Sequence, residues 1–158
     1  MDNIRILSND DVDNLLTVSE CIPVIDNLFA NLDKTQMPPK VYMNVPNGDF
    51  RSMPAVVDKT AGIKWASLNI SEPGKINIFA KVLINDTETG KLLAIMDAEL
   101  LTAIRTAAVT GVATNHLART DSTTAAFVGC GNQTRRQIEA VSAVRDLEAI
   151  FLYDLDPE

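Results

Sequence analysis

At 158 residues, the chain is long enough for one domain with a real core and too short for two ordinary ones. Its 14 basic and 21 acidic residues leave a formal charge of −7, and it has few aromatics and no basic run. That balance argues against nucleic acid or an anionic membrane surface as a partner. No apolar stretch approaches the ~20 residues that span a bilayer, and the opening MDNIRILSNDD has neither the charged nor the apolar region of a signal peptide. Two distant cysteines, Cys21 and Cys130, fit a reduced, cytoplasmic setting.

LSNDDVDNLL reads as a first helix, capped by Ser8, with Asp10 and Asp11 at the positive end of its dipole. VSECIPVIDNLFANLD reads as a second, capped by Ser19, with Pro23 in its first turn and Ile22, Ile25, Leu28, Phe29 and Leu32 on one apolar face. The period then changes. KVYMNV, DFRSMPAVV, AGIKWASLN, INIFAKVLIND and KLLAIMD alternate like strands, separated by the turn signals PNGD, SEPGK and DTETG. About five strands in mostly antiparallel succession are predicted.

AELLTAIRTAAVTGVATNHLA follows as a long helix rich in Ala, Thr and Gly. RTDSTT is a polar connector and the predicted domain boundary, dividing the chain into 1–120 and 121–158. After it come AAFVG as strand, NQTRRQIEAVSAV as helix and EAIFLYDL as strand. The predicted class is α/β: an α+β N-terminal domain with a mixed, largely antiparallel sheet, then the first β-α-β of a Rossmann domain.

Three stretches carry chemistry. Gly129 and Gly131 sit in VGCGNQT, between an apolar strand and a helix. The first glycine permits a tight turn, and the second lets the backbone approach a pyrophosphate on the helix N-terminus. Thr134 replaces the third small residue of that fingerprint. Asp154 ends the next strand at roughly the 20-residue distance expected of an acid that binds a ribose hydroxyl. A plain strand-turn-helix is the alternative, with Cys130 as a small filler.

Lys40, Arg51 and Lys64 lie on neighbouring strand segments. Lys64 is flanked by Gly62-Ile63 and Trp65-Ala66, where a solvated lysine is unexpected. A buried lysine beside other cations can act as an acid/base or hold a carboxylate; three surface cations are the plainer alternative. Arg105, followed by Thr106, stands alone on the small-residue helix, where it calls for an anion or a structural carboxylate. His116 reads as a packing or exposed polar residue. No Cys/His or acid cluster has metal-ligand spacing, so no metal is expected.

Taken together, MPPKVYMNVPNGDFRSMPA, AGIKWASLN, TGKLLAIMDAELLTAIRTAAVTGVATNHLAR and VGCGNQT resemble the ornithine cyclodeaminase/mu-crystallin family, with the archaeal-type alanine dehydrogenases as the nearest branch. The similarity runs from about Ile6 to Asp156. It implies a dimerising substrate domain followed by an NAD-binding Rossmann domain, in a chain roughly twice this length. Lys64 matches the family's active-site lysine, Lys40 stands where many members have an arginine, and Arg105 matches an arginine that holds the substrate carboxylate. Arg51, in GDFRSMP, matches the alanine dehydrogenase branch, whereas cyclodeaminases tend to carry an acid there.

The implied cofactor-binding set is Thr106, Gly129, Gly131, Asn132, Gln133 and Asp154. The family often has a His-Pro turn and a Pro-Thr pair after the lysine; here LNISEPGKIN is shorter, with Asn77 near the threonine position. The implied function is NAD-dependent interconversion of alanine with pyruvate and ammonia by a homodimer. Ornithine cyclodeamination, ketimine reduction and a non-enzymatic small-ligand-binding module remain as alternatives. The segment itself is expected to be the N-terminal half of a longer enzyme, inactive alone.

Overall fold

Two patterns of apolar residues, one of period two and one helical, build two compact units. The first comprises Met1–Leu15 and Asn31–Leu101, the second Leu16–Ala30 and Thr102–Glu158. The computed structural model describes residues 4–72 and 75–156. The turn expected at SEPGK therefore falls partly outside the described residues, at Pro73 and Gly74.

In the first unit the five predicted strands form β2 (Val41–Val45), β3 (Gly48–Val57), β4 (Thr60–Glu72), β5 (Lys75–Asp86) and β6 (Leu92–Asp97). Each pairs antiparallel with the next. A sixth strand, β1 (Arg5–Leu7), joins parallel to β6 and gives the order β1-β6-β5-β4-β3-β2. The sequence reading missed β1 because three residues are too few to show a period. Helix α1 (Asn9–Leu15) opens with a reciprocal cap. Ser8 Oγ accepts the Asp11 amide at 3.2 Å, and the Asp11 carboxylate accepts the Ser8 amide at 2.8 Å;.

The sheet has two unlike faces. Facing residues on paired strands share a face, so the row Arg51–Ala66–Ala80 defines one of them;. Ala66 and Ala80 are buried there with Ala98, and Val82 packs against them. The opposite face holds Phe50, Ser67 and Phe79 in one row. On it Met43, Phe50, Trp65 and Phe79 are exposed, and the Phe50 and Trp65 rings stack at 5.7 Å between centroids.

Glu99 begins α3 (Glu99–Leu117) and ties three elements of this unit together. Its carboxylate accepts the Ala80 amide at 3.0 Å and Asn9 Nδ2 at 3.2 Å, while Asn9 Oδ1 accepts the Leu100 amide at 3.2 Å. Burial works against its charge, but the hydrogen bonds from the Ala80 and Glu99 amides and from Asn9 outweigh it and hold the carboxyl below its usual range. A depressed carboxylate stabilises the fold above its unfolded value, and the gain is lost as pH falls through the folded value. Glu99→Gln should therefore cost about 1–3 kcal/mol near neutral pH. Its thermal melt should converge on that of the wild type in acid.

The second unit contains α2 (Val18–Ala30), most of α3, and the pair β7 (Thr124–Val128) and β8 (Ala149–Tyr153), parallel to each other with α4 (Thr134–Ser142) between them in sequence. The cap of α2 is Thr17, not Ser19. Thr17 Oγ1 accepts the Glu20 amide at 3.2 Å, and Glu20 accepts the Thr17 amide at 3.0 Å. Starting earlier, the helix takes Pro23 into its second turn. Its buried stripe runs through Val18 and Cys21, whereas Phe29 and Leu32 are exposed.

Burial raises the Cys21 thiol above its ordinary value. On α3 the buried residues are Ala103, Ile104, Ala107, Ala108, Gly111 and Val112. The small side chains serve close packing: a Cβ on Gly111 would lie 2.7 Å from Ile22 Cδ1 of α2 and 3.4 Å from the Ala140 carbonyl of α4. No helix among the described residues is long and apolar enough to cross a membrane.

Candidate functional site

Strand register gathers part of the expected site in the first unit. Tyr42 faces Arg51, which faces Ala66; two residues along, Met53 faces Lys64, which faces Val82. Alternation therefore puts Tyr42, Asp49, Arg51 and Lys64 on the sheet face that carries the alanine core. Lys40 immediately precedes β2, and its Nζ lies 5.0 Å from the centre of the Tyr42 ring. The Arg51 guanidinium carbon lies 5.4 Å from that same ring. One tyrosine thus contacts two cations through its electron-rich face.

Arg51 is held by its near neighbour. Its Nε and Nη2 donate to the two oxygens of Asp49 at 2.5 and 2.9 Å. The two side chains are only 26% and 16% exposed. The hydrogen bond to Arg51 leads the causes that lower the Asp49 carboxyl, and the same bond leads those that raise Arg51. Lys64 is half-buried on the central strand β4. Lys40, Arg51 and Lys64 bring positive charge to this end of the face beside the Asp49 carboxylate, an arrangement suited to an anion.

Sequence reasoning named Lys40, Arg51 and Lys64 but not Tyr42 or Asp49. The Asp-Phe-Arg spacing, with period two, was the available signal for Asp49.

The second unit holds the glycine turn. Gly129 adopts φ 95°, a conformation that L side chains rarely reach;. Its amide donates to the Tyr153 carbonyl at 2.7 Å, and its carbonyl accepts Thr134 Oγ1 at 2.7 Å. The residue in place of the third glycine thus braces the turn. The Asp154 carboxylate accepts the Cys130 amide and, at 3.1 Å, the Asp156 amide. Those bonds, the Cys130 one foremost, pull the Asp154 carboxyl below its ordinary value.

A Cβ on Gly129 or Gly131 would meet nothing within 4 Å, and Gln133 makes no side-chain cap at the start of α4. Open space over a glycine turn and helix amides without a side-chain cap are what a pyrophosphate requires, so these residues fit a dinucleotide. Asn132 and Gln133 are exposed beside the turn. Cys130 is exposed rather than a filler.

On α3, Thr106 donates its hydroxyl to the Thr102 carbonyl at 2.6 Å. Arg105 is exposed, on the side away from the buried small residues. His116 is exposed and meets Asp26 at 2.9 Å. Among the described residues no group of His, Cys, Asp or Glu could hold a metal ion.

Comparison with known proteins adds a third line. The family model for the ornithine cyclodeaminase/mu-crystallin family matches residues 3–158. Alanine dehydrogenase of Archaeoglobus fulgidus is 38% identical over 154 residues, which is 95% of this chain and 48% of that protein. An archaeal alanine dehydrogenase dimer solved with NAD superposes with a TM-score of 0.89 at 38% identity, over 96% of this chain and 49% of that one. Thermococcus litoralis Δ1-pyrroline-2-carboxylate reductase, solved with NADH and L-proline, gives 0.90 at 34% identity, over 98% of this chain and 50% of that one. The chain thus spans about half the length of the relatives it matches. Its fold, its motifs and the extent of these matches place the chain in the ornithine cyclodeaminase/mu-crystallin family.

Proposed function

We propose that the chain is part of an NAD-dependent dehydrogenase of the cytoplasm that interconverts alanine with pyruvate and ammonia. The observation that carries this reading is Arg51, half-buried on the sheet face with Lys40 and Lys64 and oriented by an ion pair. A guanidinium so placed binds a carboxylate through charge-assisted hydrogen bonds. Lys40 adds positive charge at the same ring. Lys64 is assigned to polarising the substrate carbonyl or imine and to moving protons as ammonia adds or leaves. Arg105 is assigned to the substrate carboxylate from its RTAAVTG motif, and Thr106 to the cofactor from the same motif.

A bound nicotinamide dinucleotide would supply the hydride chemistry. Gly129, Gly131, Asn132 and Gln133 would hold its pyrophosphate. Asp154, with its lowered carboxyl, would accept ribose hydroxyls and repel a 2′-phosphate, which favours NAD over NADP. By function, residues 1–120 are assigned to substrate binding and dimerisation and 121–158 to the start of the nucleotide-binding domain. The exposed apolar face around Phe50, Trp65 and Phe79 supports a homodimer;. Two free cysteines support a reducing compartment;.

A titration of pyruvate onto the chain tests the carboxylate site. Arg51→Met should weaken binding by about 100-fold, as expected for losing a charge-assisted pair worth about 3 kcal/mol. Equal affinities for the variant and the wild type would remove Arg51 from the site.

A further inference from the structure

Asp49 poses a problem for a carboxylate-binding site, because it places a negative charge against the arginine assigned to the substrate. An acid so placed either competes with the ligand or prepares the arginine for it. The pairing geometry separates the two. Asp49 engages Nε and Nη2 of Arg51. A guanidinium has a second bidentate edge, made of Nη1 and the remaining Nη2 hydrogen, and that edge suits another carboxylate. The Tyr42 ring lies 5.4 Å from the guanidinium carbon, and β3 carries Asp49 and Arg51 two residues apart on one face.

An arginine without such a partner spreads over many rotamers, and binding must then restrict them. Here the restriction is built into the fold, with both side chains largely covered.

Resting on the carboxylate site proposed above, we propose that Asp49 is a positioning residue: it locks the Arg51 guanidinium so that its Nη1–Nη2 edge receives the carboxylate of a small α-oxo or α-amino acid. The ligand class follows from the charges. Asp49 occupies the Nε edge, leaving Arg51 a single fork for one carboxylate, and a second carboxylate brought close to Asp49 would be repelled. The site therefore favours monocarboxylates.

The test is a pyruvate titration of the 158-residue chain, followed by NMR at the Arg51 Nε–H, across a cycle of Asp49→Asn, Asp49→Glu, Arg51→Lys and the double variant Asp49→Asn/Arg51→Lys. Loss of positioning should weaken pyruvate binding about tenfold in Asp49→Asn and speed exchange of the Arg51 Nε–H. Asp49→Glu should recover part of both. In the Arg51→Lys background, which has no fork to orient, Asp49→Asn should add little further loss.

Binding by Asp49→Asn as tight as wild type, or tighter, would make Asp49 a competitor and overturn the inference while leaving the carboxylate site intact. Should Asp49→Asn fail to fold, full wild-type affinity in Arg51→Lys would overturn it instead, because the fork would then be dispensable. Absence of pyruvate binding by the wild type would mark failure of the site itself, and the inference would fall with it.

Discussion

Gly48→Ala is expected to dismantle the hairpin that carries the proposed carboxylate site. Gly48 begins β3 at φ 147°, and a Cβ built there would lie 1.9 Å from the Leu68 carbonyl oxygen and 2.8 Å from its carbon. Those atoms are main chain, so they cannot rotate away as a side chain would. Relief requires β3 to part from β4 where Gly48 faces Asn69. Steric overlap and an unfavourable φ together should cost about 3–5 kcal/mol. Denaturant unfolding measures that cost. Pyruvate affinity should fall with it, since Tyr42, Asp49 and Arg51 all hang on this hairpin. A variant as stable as wild type would mean that the turn has a second accessible conformation.

Arg145→Ala should produce a comparable loss in the second unit. The last carbonyls of any helix lack partners within it. At the end of α3, Arg145 adds donors: Nη2 reaches the Thr114 carbonyl, which also accepts the Ala118 amide, and the Ala118 carbonyl just past the helix, at 2.9 Å each, and Nε reaches the Arg119 carbonyl at 3.2 Å. Nη1 donates to the Val144 carbonyl at 2.7 Å. Each such bond to a charged donor contributes about 1.5 kcal/mol or more, and they are not additive, so a total near 3 kcal/mol is expected. Hydrogen exchange should locate the damage in the last turns of α3. Arg145→Lys should recover only a part, because one ammonium cannot span several carbonyls. Unchanged exchange in the alanine variant would mean that water caps the helix equally well.

The sequence marks Gly48 through the PNGD turn signal, whereas it signals Arg145 only weakly. The five longer strands were legible because alternation and turn residues mark them, and the glycine turn because its spacing is set by the chemistry of a pyrophosphate. Arg145 follows the end of α4 with no periodic pattern around it, and most of its targets lie at the end of α3 and just past it, far away in sequence. Tyr42 and Arg51 meet only through the register of a hairpin, which the turn fixes and composition does not. Asp49 was within reach, because two residues along a strand share a face. The choice of Thr17 over Ser19 as the cap of α2 was also within reach, since Thr17 stands three residues before Glu20 in the capping-box spacing;. The three-residue β1 was not, because its pairing with β6 depends on the whole sheet.

The proposed activity itself is tested most directly by turnover. The native protein, isolated from its source cells, would be given NAD with L-alanine, L-ornithine or L-proline, and NADH, ammonia and amino-acid products would be followed together. NADH, pyruvate and ammonia in equal amounts from L-alanine are the expected result. Proline and ammonia from L-ornithine without net NADH would make the protein a cyclodeaminase, and NADH from L-proline alone would make it a cyclic-imine reductase. No turnover of any of the three would contradict the enzyme reading and leave a small-carboxylate-binding module.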